Sequence, residues 1–227
     1  MECSVQRVRD LLFDKNPYDG FDASAYEPDL QGWGSDHPLL LRAIELVRPT
    51  RIVEVGAWKG RSAINMAREI KRLGLNCELV CVDTWLGSPE HWLRHMAGWY
   101  ESLAIQNGFP KLYFTFLANV VREGLTDIVT PFPSTSDNAA YIFEKLGIHF
   151  DIAYIDAAHE YEPALRDYTN YWSILREPGL LIGDDYNASW PGVVRAANDF
   201  AKSQSISLFV NDEKFAIGKG LQWLLAA

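Results

Sequence analysis

The sequence predicts an α/β fold, a doubly wound and mostly parallel sheet closed by a terminal antiparallel hairpin. Three observations carry this. Short β-branched runs alternate with stretches of helical period along most of the chain. The strand-like runs stop at glycine or aspartate, as at Gly56, Asp83, Asp156 and Asp184. The last two runs, Ser205 to Val210 and Lys214 to Gly218, flank the turn pair Asn211-Asp212.

The elements follow in order. Val5 to Phe13 has the pattern of a short helix, and a loop with Tyr18, Phe21, Tyr26 and Trp33 among Pro, Gly and Asp comes next. Residues 1–36 therefore form an aromatic-rich arm that folds over something. Ser35-Asp36-His37-Pro38 is a helix start, and that helix ends near Val47, before Pro49. A strand at 51–55 feeds a helix over about 60–73, closed by Gly74. Glu78 to Val82 is the second strand. Residues 86–110 exceed what a minimal strand–helix–strand unit needs and hold His91, Trp92, His95, Met96, Trp99 and Tyr100, which marks a lid insertion. Helices are expected at 111–123, 136–146, 161–175 (stopped by Pro178-Gly179) and 191–202, and strands at 127–131, 150–156 and 180–184.

Length allows one well-filled α/β domain, residues 37–227, behind the arm. Nearly half the residues are hydrophobic, which argues against disorder. A formal charge of −9 argues against nucleic acid and against an anionic membrane surface. Cys3, Cys77 and Cys81 make no disulfide framework, and no Cys-x-x-Cys suggests structural zinc. Charged residues are mixed through Met1 to Phe13, unlike a signal peptide, and no segment is long and apolar enough to span a membrane. A cytoplasmic protein is the expectation. A homo-oligomer is compatible with all of this.

Residues 51–66 carry the strongest signal. The run Arg51 to Val55 breaks at Gly56, and helical spacing resumes after Gly60. Glycine in such a loop lets backbone approach a ligand, and the following helix start offers unpaired N–H groups. Glu54, at the carboxyl end of the strand, suits a cation or a pair of hydroxyls, not a phosphate. The spacing differs from Gly-x-Gly-x-x-Gly. Asp83, at the end of the second strand, is placed to accept from a ligand beyond the sheet, with helix capping as the competing reading.

Asp156, Asp184 and Asp185 stand at the ends of two strands expected to be neighbours. Two carboxylates about 4 Å apart repel by about 4 kcal/mol at an effective dielectric of about 20. Buried together they must protonate, separate or share a counter-ion. A divalent metal resolves this, and all-oxygen ligation selects Mg²⁺, Ca²⁺ or Mn²⁺. Both Asp184 and Asp185 can ligate only if the strand has ended by Gly183, because successive strand residues face opposite ways. Capping and surface acids are the alternative. His159, three residues past Asp156, is a reasonable proton acceptor. His91 and His95 have helical metal-pair spacing but no third soft ligand, so a lid packing its tryptophans is the preferred reading.

The run Glu54-Val55-Gly56-Ala57-Trp58-Lys59-Gly60-Arg61-Ser62-Ala63 resembles the first motif of class I S-adenosylmethionine-dependent methyltransferases, in particular the catechol O-methyltransferase type. Asp156-Ala157-Ala158-His159 and Trp190-Pro191-Gly192 look closer to the macrocin-type sugar O-methyltransferases. The catechol type has a basic side chain other than His at 159 and usually asparagine at 185, so a phenolic substrate is put in doubt.

The resemblance runs over about residues 37–218 and leaves out 86–110. It implies a Rossmann-like seven-stranded sheet, with S-adenosylmethionine over Glu54, Gly56, Trp58 and Gly60, its methionine end near Ser62 and its ribose on Asp83. Trp85 would stack on the adenine and Ser136 would touch its edge. Mg²⁺ or another divalent cation on Asp156, Asp184 and Asp185 would hold a small hydroxylated acceptor, such as a sugar on a natural product. His159 would be the base, and Trp33, Trp92 and Trp99 an apolar wall. The rivals are a metal-independent methyltransferase, a same-fold hydroxylase or cofactor-binding pathway protein, and a module without turnover.

Overall fold

The computed structural model describes residues 6–95 and 98–220. Cys3, Val5 and Met96 lie outside them. The arm carries a short helix, α1 (Val8–Leu12), then an irregular path with a 3-10 turn at Ala23–Ala25 to α2 (Pro38–Val47), whose start is capped by the His37 ring accepting from Leu39 N–H. The alternation continues through β1 (Arg51–Val55), α3 (Arg61–Arg72) and β2 (Glu78–Asp83). The lid insertion forms two single-turn helices, α4 (Pro89–Trp92) and α5 (Trp99–Ser102). Next come α6 (Leu112–Arg122), β3 (Val129–Pro133), α7 (Ser136–Lys145), β4 (Phe150–Ile155) and α8 (Tyr161–Ser173). The chain closes with β5 (Leu175–Gly183), α9 (Pro191–Ser203) and the hairpin β6 (Phe209–Asn211) and β7 (Lys214–Lys219).

The seven strands are ordered β3-β2-β1-β4-β5-β7-β6, and only the pairs that β7 makes are antiparallel. This is the expected Rossmann-like sheet with its terminal hairpin. Alternation along the strands divides the core. Ile52, Leu79, Ile152 and Ile182 pack with α2, α3 and α6, whereas Val53, Val80, Ala153 and Leu181 pack with α7, α8 and α9.

Two boundaries differ from expectation. Pro178-Gly179 does not stop α8, which ends at Ser173; it lies within β5, where the pairing with β4 shifts register between Phe150 and Ile152. β3 runs through Pro131 and Pro133 because it is an edge strand, where a missing N–H breaks no ladder.

The strand order switches sides between the parallel neighbours β1 and β4, so a crevice opens beyond their carboxyl ends. Residues 29–35 of the arm lie across it. Asp29 pairs with Lys59 at 2.6 Å, Gln31 Oε1 accepts from Trp58 Nε1 at 2.8 Å, and Asn65 Nδ2 donates to the Ser35 carbonyl at 2.9 Å. The arm therefore covers the crevice of its own chain.

Candidate active site

Beyond the strand ends lies a cavity of about 590 Å³, with walls from the arm, the β1 and β2 loops, α4, and the ends of β3, β4 and β5. Gly56 has φ +92°, and a Cβ there would stand 1.7 Å from the Asp156 carbonyl oxygen. The close approach is to the chain's own backbone, at the point where β1 and β4 diverge. Gly60 has φ +87° and lies against the Phe116 ring, where a Cβ would come within 2.8 Å; it caps α3 without lining the cavity. Gly56→Ala is expected to shift the urea unfolding curve by about 1–3 kcal/mol through overpacking. A wild-type midpoint would refute that steric requirement.

Asp83 lines the cavity with both oxygens oriented: Oδ2 accepts from Trp58 N–H at 2.8 Å and Oδ1 from Trp85 N–H at 2.7 Å. Burial raises its pKa, and the backbone donors counter that rise. Trp58, at φ +47°, presents its ring to the cavity.

Trp85 does not. It is 1% exposed, packs on Tyr113 and Phe116, and donates from Nε1 to the Trp58 carbonyl at 2.7 Å. Adenine stacking on Trp85 is thereby corrected to a core role. Glu54 is likewise away from the cavity. Its side chain points toward the face of α3, fully buried, accepting from Ser62 Oγ and from Cys81 Sγ at 3.3 Å. Burial pushes its carboxyl up to about 7. Ser62 reaches the cavity wall with its hydroxyl proton committed to Glu54.

Ser136 lines the opposite wall and donates to Asp167 Oδ1 at 2.6 Å. Asp167, on α8 and 2% exposed, was not apparent from the sequence; burial pushes its carboxyl up to about 6 despite the Ser136 hydrogen bond.

The acids at the ends of β4 and β5 separate into two groups. β5 ends at Gly183, and Asp185, at φ +59°, turns the chain so that its side chain leaves the direction of Asp184. The Asp184 carboxylate forms an ion pair with Lys214 Nζ, accepts from Tyr154 Oη at 2.6 Å, and accepts from Asp185 N–H at 2.8 Å. Lys214, 1% exposed, comes from β7. Asp184 was expected as a metal ligand; here Lys214 and Tyr154 hold its Oδ2 and the Asp185 N–H its Oδ1, and it borders the cavity.

Asp156, His159 and Asp185 instead offer ligand atoms within 4.8 Å of one another, the only such group among the described residues. His159 Nε2 donates to Asp185 Oδ2 at 2.8 Å, its Nδ1 lies 3.8 Å from Glu90 Oε1, and Trp190 stacks on the ring at 4.0 Å. Burial pulls the His159 pKa down, but the Asp185 hydrogen bond and the charges of Asp185 and Glu90 outweigh it, and the pKa is raised. Burial and the charge of Asp184 push Asp156 well up, against the pull of Lys214. Asp156 is thus short of positive charge, and two carboxylates and an imidazole with an open side suit a divalent cation.

The lid completes the wall. The His91 ring lies between Trp58 and Trp99, at 4.5 and 5.2 Å between centroids. α4 ends at Trp92, so His91 and His95 share no helix, and His95 is exposed. Trp33 and Trp99 line the cavity; Trp92 does not, being 42% exposed and packed toward Tyr100. No described helix is long and apolar enough to cross a membrane.

Residues 53–186 match the family described as methyltransferase domain. No curated protein matches the sequence significantly. Among solved structures the chain resembles the O-methyltransferase NovP, with TM-score 0.63 and 18% identity over 82% of this chain and 79% of that one. An O-methyltransferase from Bacillus cereus in complex with SAH aligns at TM-score 0.56 and 18% identity, covering 93% and 95%. CalS11, a calicheamicin methyltransferase, aligns at TM-score 0.58 and 19% identity, covering 81% and 77%, and is also described as a TDP-rhamnose 3'-O-methyltransferase.

Proposed function

The chain belongs to the methyltransferase-domain family, and on that premise we propose that it transfers the methyl group of S-adenosylmethionine to a hydroxyl of a small polyhydroxylated acceptor, assisted by a divalent cation. One observation carries this reading. A single cavity joins the Gly56 loop and Asp83 on one side to an imidazole held by a carboxylate on the other. When bound, S-adenosylmethionine supplies an electrophilic methyl group.

Asp83 is set to receive the ribose hydroxyls, since two backbone donors leave each oxygen a free lone pair. Ser136 gives its proton to Asp167 and so offers only lone pairs to the cavity, which suits the adenine amino group. Asp185 holds His159 with the proton on Nε2, which leaves Nδ1 to take a proton from an acceptor hydroxyl. Trp190 covers one face of the His159 ring. Asp156 and Asp185 would hold the cation, with His159 beside them, and the cation would supply acidification and orientation of an acceptor hydroxyl. A sugar ring is the favoured acceptor, by analogy with the substrate described for CalS11.

A methyl-donor assay against pyranosides, acyclic diols and catechols tests this. Transfer to a diol-bearing acceptor is expected to fall more than about tenfold in EDTA and to return with Mg²⁺. Donor binding without transfer to any hydroxyl would overturn the proposal. A second reading has its own support: the Lys214 ammonium already neutralises Asp184, so the site holds a built-in counter-ion. Full activity in EDTA would select that metal-independent form.

A further inference from the structure

Two polar atoms beside the His159 base are buried without a partner, Glu90 Oε2 and His91 Nε2. Tyr18 Oη and His37 Nε2 share that state among the described residues, but neither of those residues lines the cavity. Glu90 and His91 do, side by side on α4. Their chemistry is complementary. His91 Nδ1 accepts from Ser88 N–H at 3.2 Å, so the neutral ring carries its proton on Nε2, and burial favours the neutral ring. Nε2 is therefore a donor in want of an oxygen, and Glu90 Oε2 an acceptor in want of a hydroxyl.

Their surroundings are aromatic. Trp58 and Trp99 flank the His91 ring, and Trp33 lies 6.4 and 6.1 Å from those two. Flat apolar walls beside one donor and one acceptor suit a saturated ring with C–H faces and hydroxyls around its rim. A catechol stacks as well, but its two vicinal oxygens go to the Asp156 and His159 side and leave Glu90 and His91 unserved. A pyranose has oxygens for both.

We propose that Glu90 and His91 form an acceptor subsite for a pyranose ring, gripping a hydroxyl pair other than the one that is methylated. The proposal rests on the O-methyltransferase reading above.

The test titrates methyl α-glucopyranoside and 4-methylcatechol, separately, into the full chain loaded with S-adenosylhomocysteine, by calorimetry. His91→Phe keeps the stack and removes the donor, and Glu90→Leu removes the acceptor. Each is expected to weaken pyranoside binding by about tenfold and to leave catechol and S-adenosylhomocysteine affinities within about twofold. His91→Gln, which can accept from Ser88 and still donate, should return pyranoside affinity to within about threefold of wild type. Pyranoside affinity unchanged in the first two variants, or catechol affinity reduced equally, overturns the subsite. So does a wild-type protein that binds S-adenosylhomocysteine and no pyranoside, which leaves methyl transfer itself standing. Failure of the wild type to bind S-adenosylhomocysteine removes the enzymatic reading and the subsite with it.

Discussion

His159→Ala should lower kcat for methyl transfer by about 10²- to 10⁴-fold, the range for losing a positioned general base. S-adenosylhomocysteine affinity should stay within about twofold, because the ring lies on the acid side of the cavity, away from Asp83 and Ser136. The ring's environment also fixes a pH signature. Asp185 and Glu90 raise its pKa above 6.5, so in the cation-free protein an NMR titration should show the imidazolium persisting above that value. Asp185→Asn should bring the midpoint down, since burial then acts with less opposition. The stability effect has a definite sign. A histidine with a raised folded pKa adds stability that is fully present below about 6.5 and is lost as pH rises through the folded value. The rate runs the other way, because only the neutral ring accepts a proton. A His159→Ala enzyme with wild-type kcat would remove the base from the mechanism.

Lys214→Met should destabilise the fold by about 3–5 kcal/mol, the penalty for leaving one member of a buried ion pair without its partner. Lys214 is 1% exposed and Asp184 8%, and Tyr154 Oη joins them, 3.1 Å from Lys214 Nζ. The double variant Lys214→Met/Asp184→Leu should regain most of that loss, because an apolar pair no longer carries a stranded charge. Denaturant unfolding reads both. Equal stability of the single variant and the wild type would mean that Asp184 is neutral in the fold, and the ion pair would have to be abandoned.

Local pattern made most of the fold legible. The β-branched runs that became β1, β2, β4 and β5 sit in the buried middle of the sheet, where a continuous apolar strand has no other home. Pro131 misled because a proline signals a strand end only where its missing N–H faces a partner, and Pro178, taken as a helix stop, instead lies inside β5. On the site, the acids at strand tips were visible as Asp83, Asp156 and Asp185, each lining the cavity. Trp85 and Glu54 were misread for one reason. Position at a strand end says how near the crevice a residue lies but not which way its side chain turns, and both turn into the core on the α3 and α6 side. Lys214 left no local trace. It lies 30 residues from Asp184 and meets it only because β7 inserts next to β5. Asp167 and Glu90 were equally silent, as ordinary acids on helices.

The insertion of β7 between β5 and β6 has a consequence for biosynthesis. A nascent chain that has emerged only as far as Asp212 already carries Asp83, Asp156, Asp184 and Asp185 but lacks the ammonium that balances Asp184. Such a chain can collapse around β1 to β5 but cannot settle its charges, so acquisition of a competent crevice waits for β7 to emerge and pair with β5.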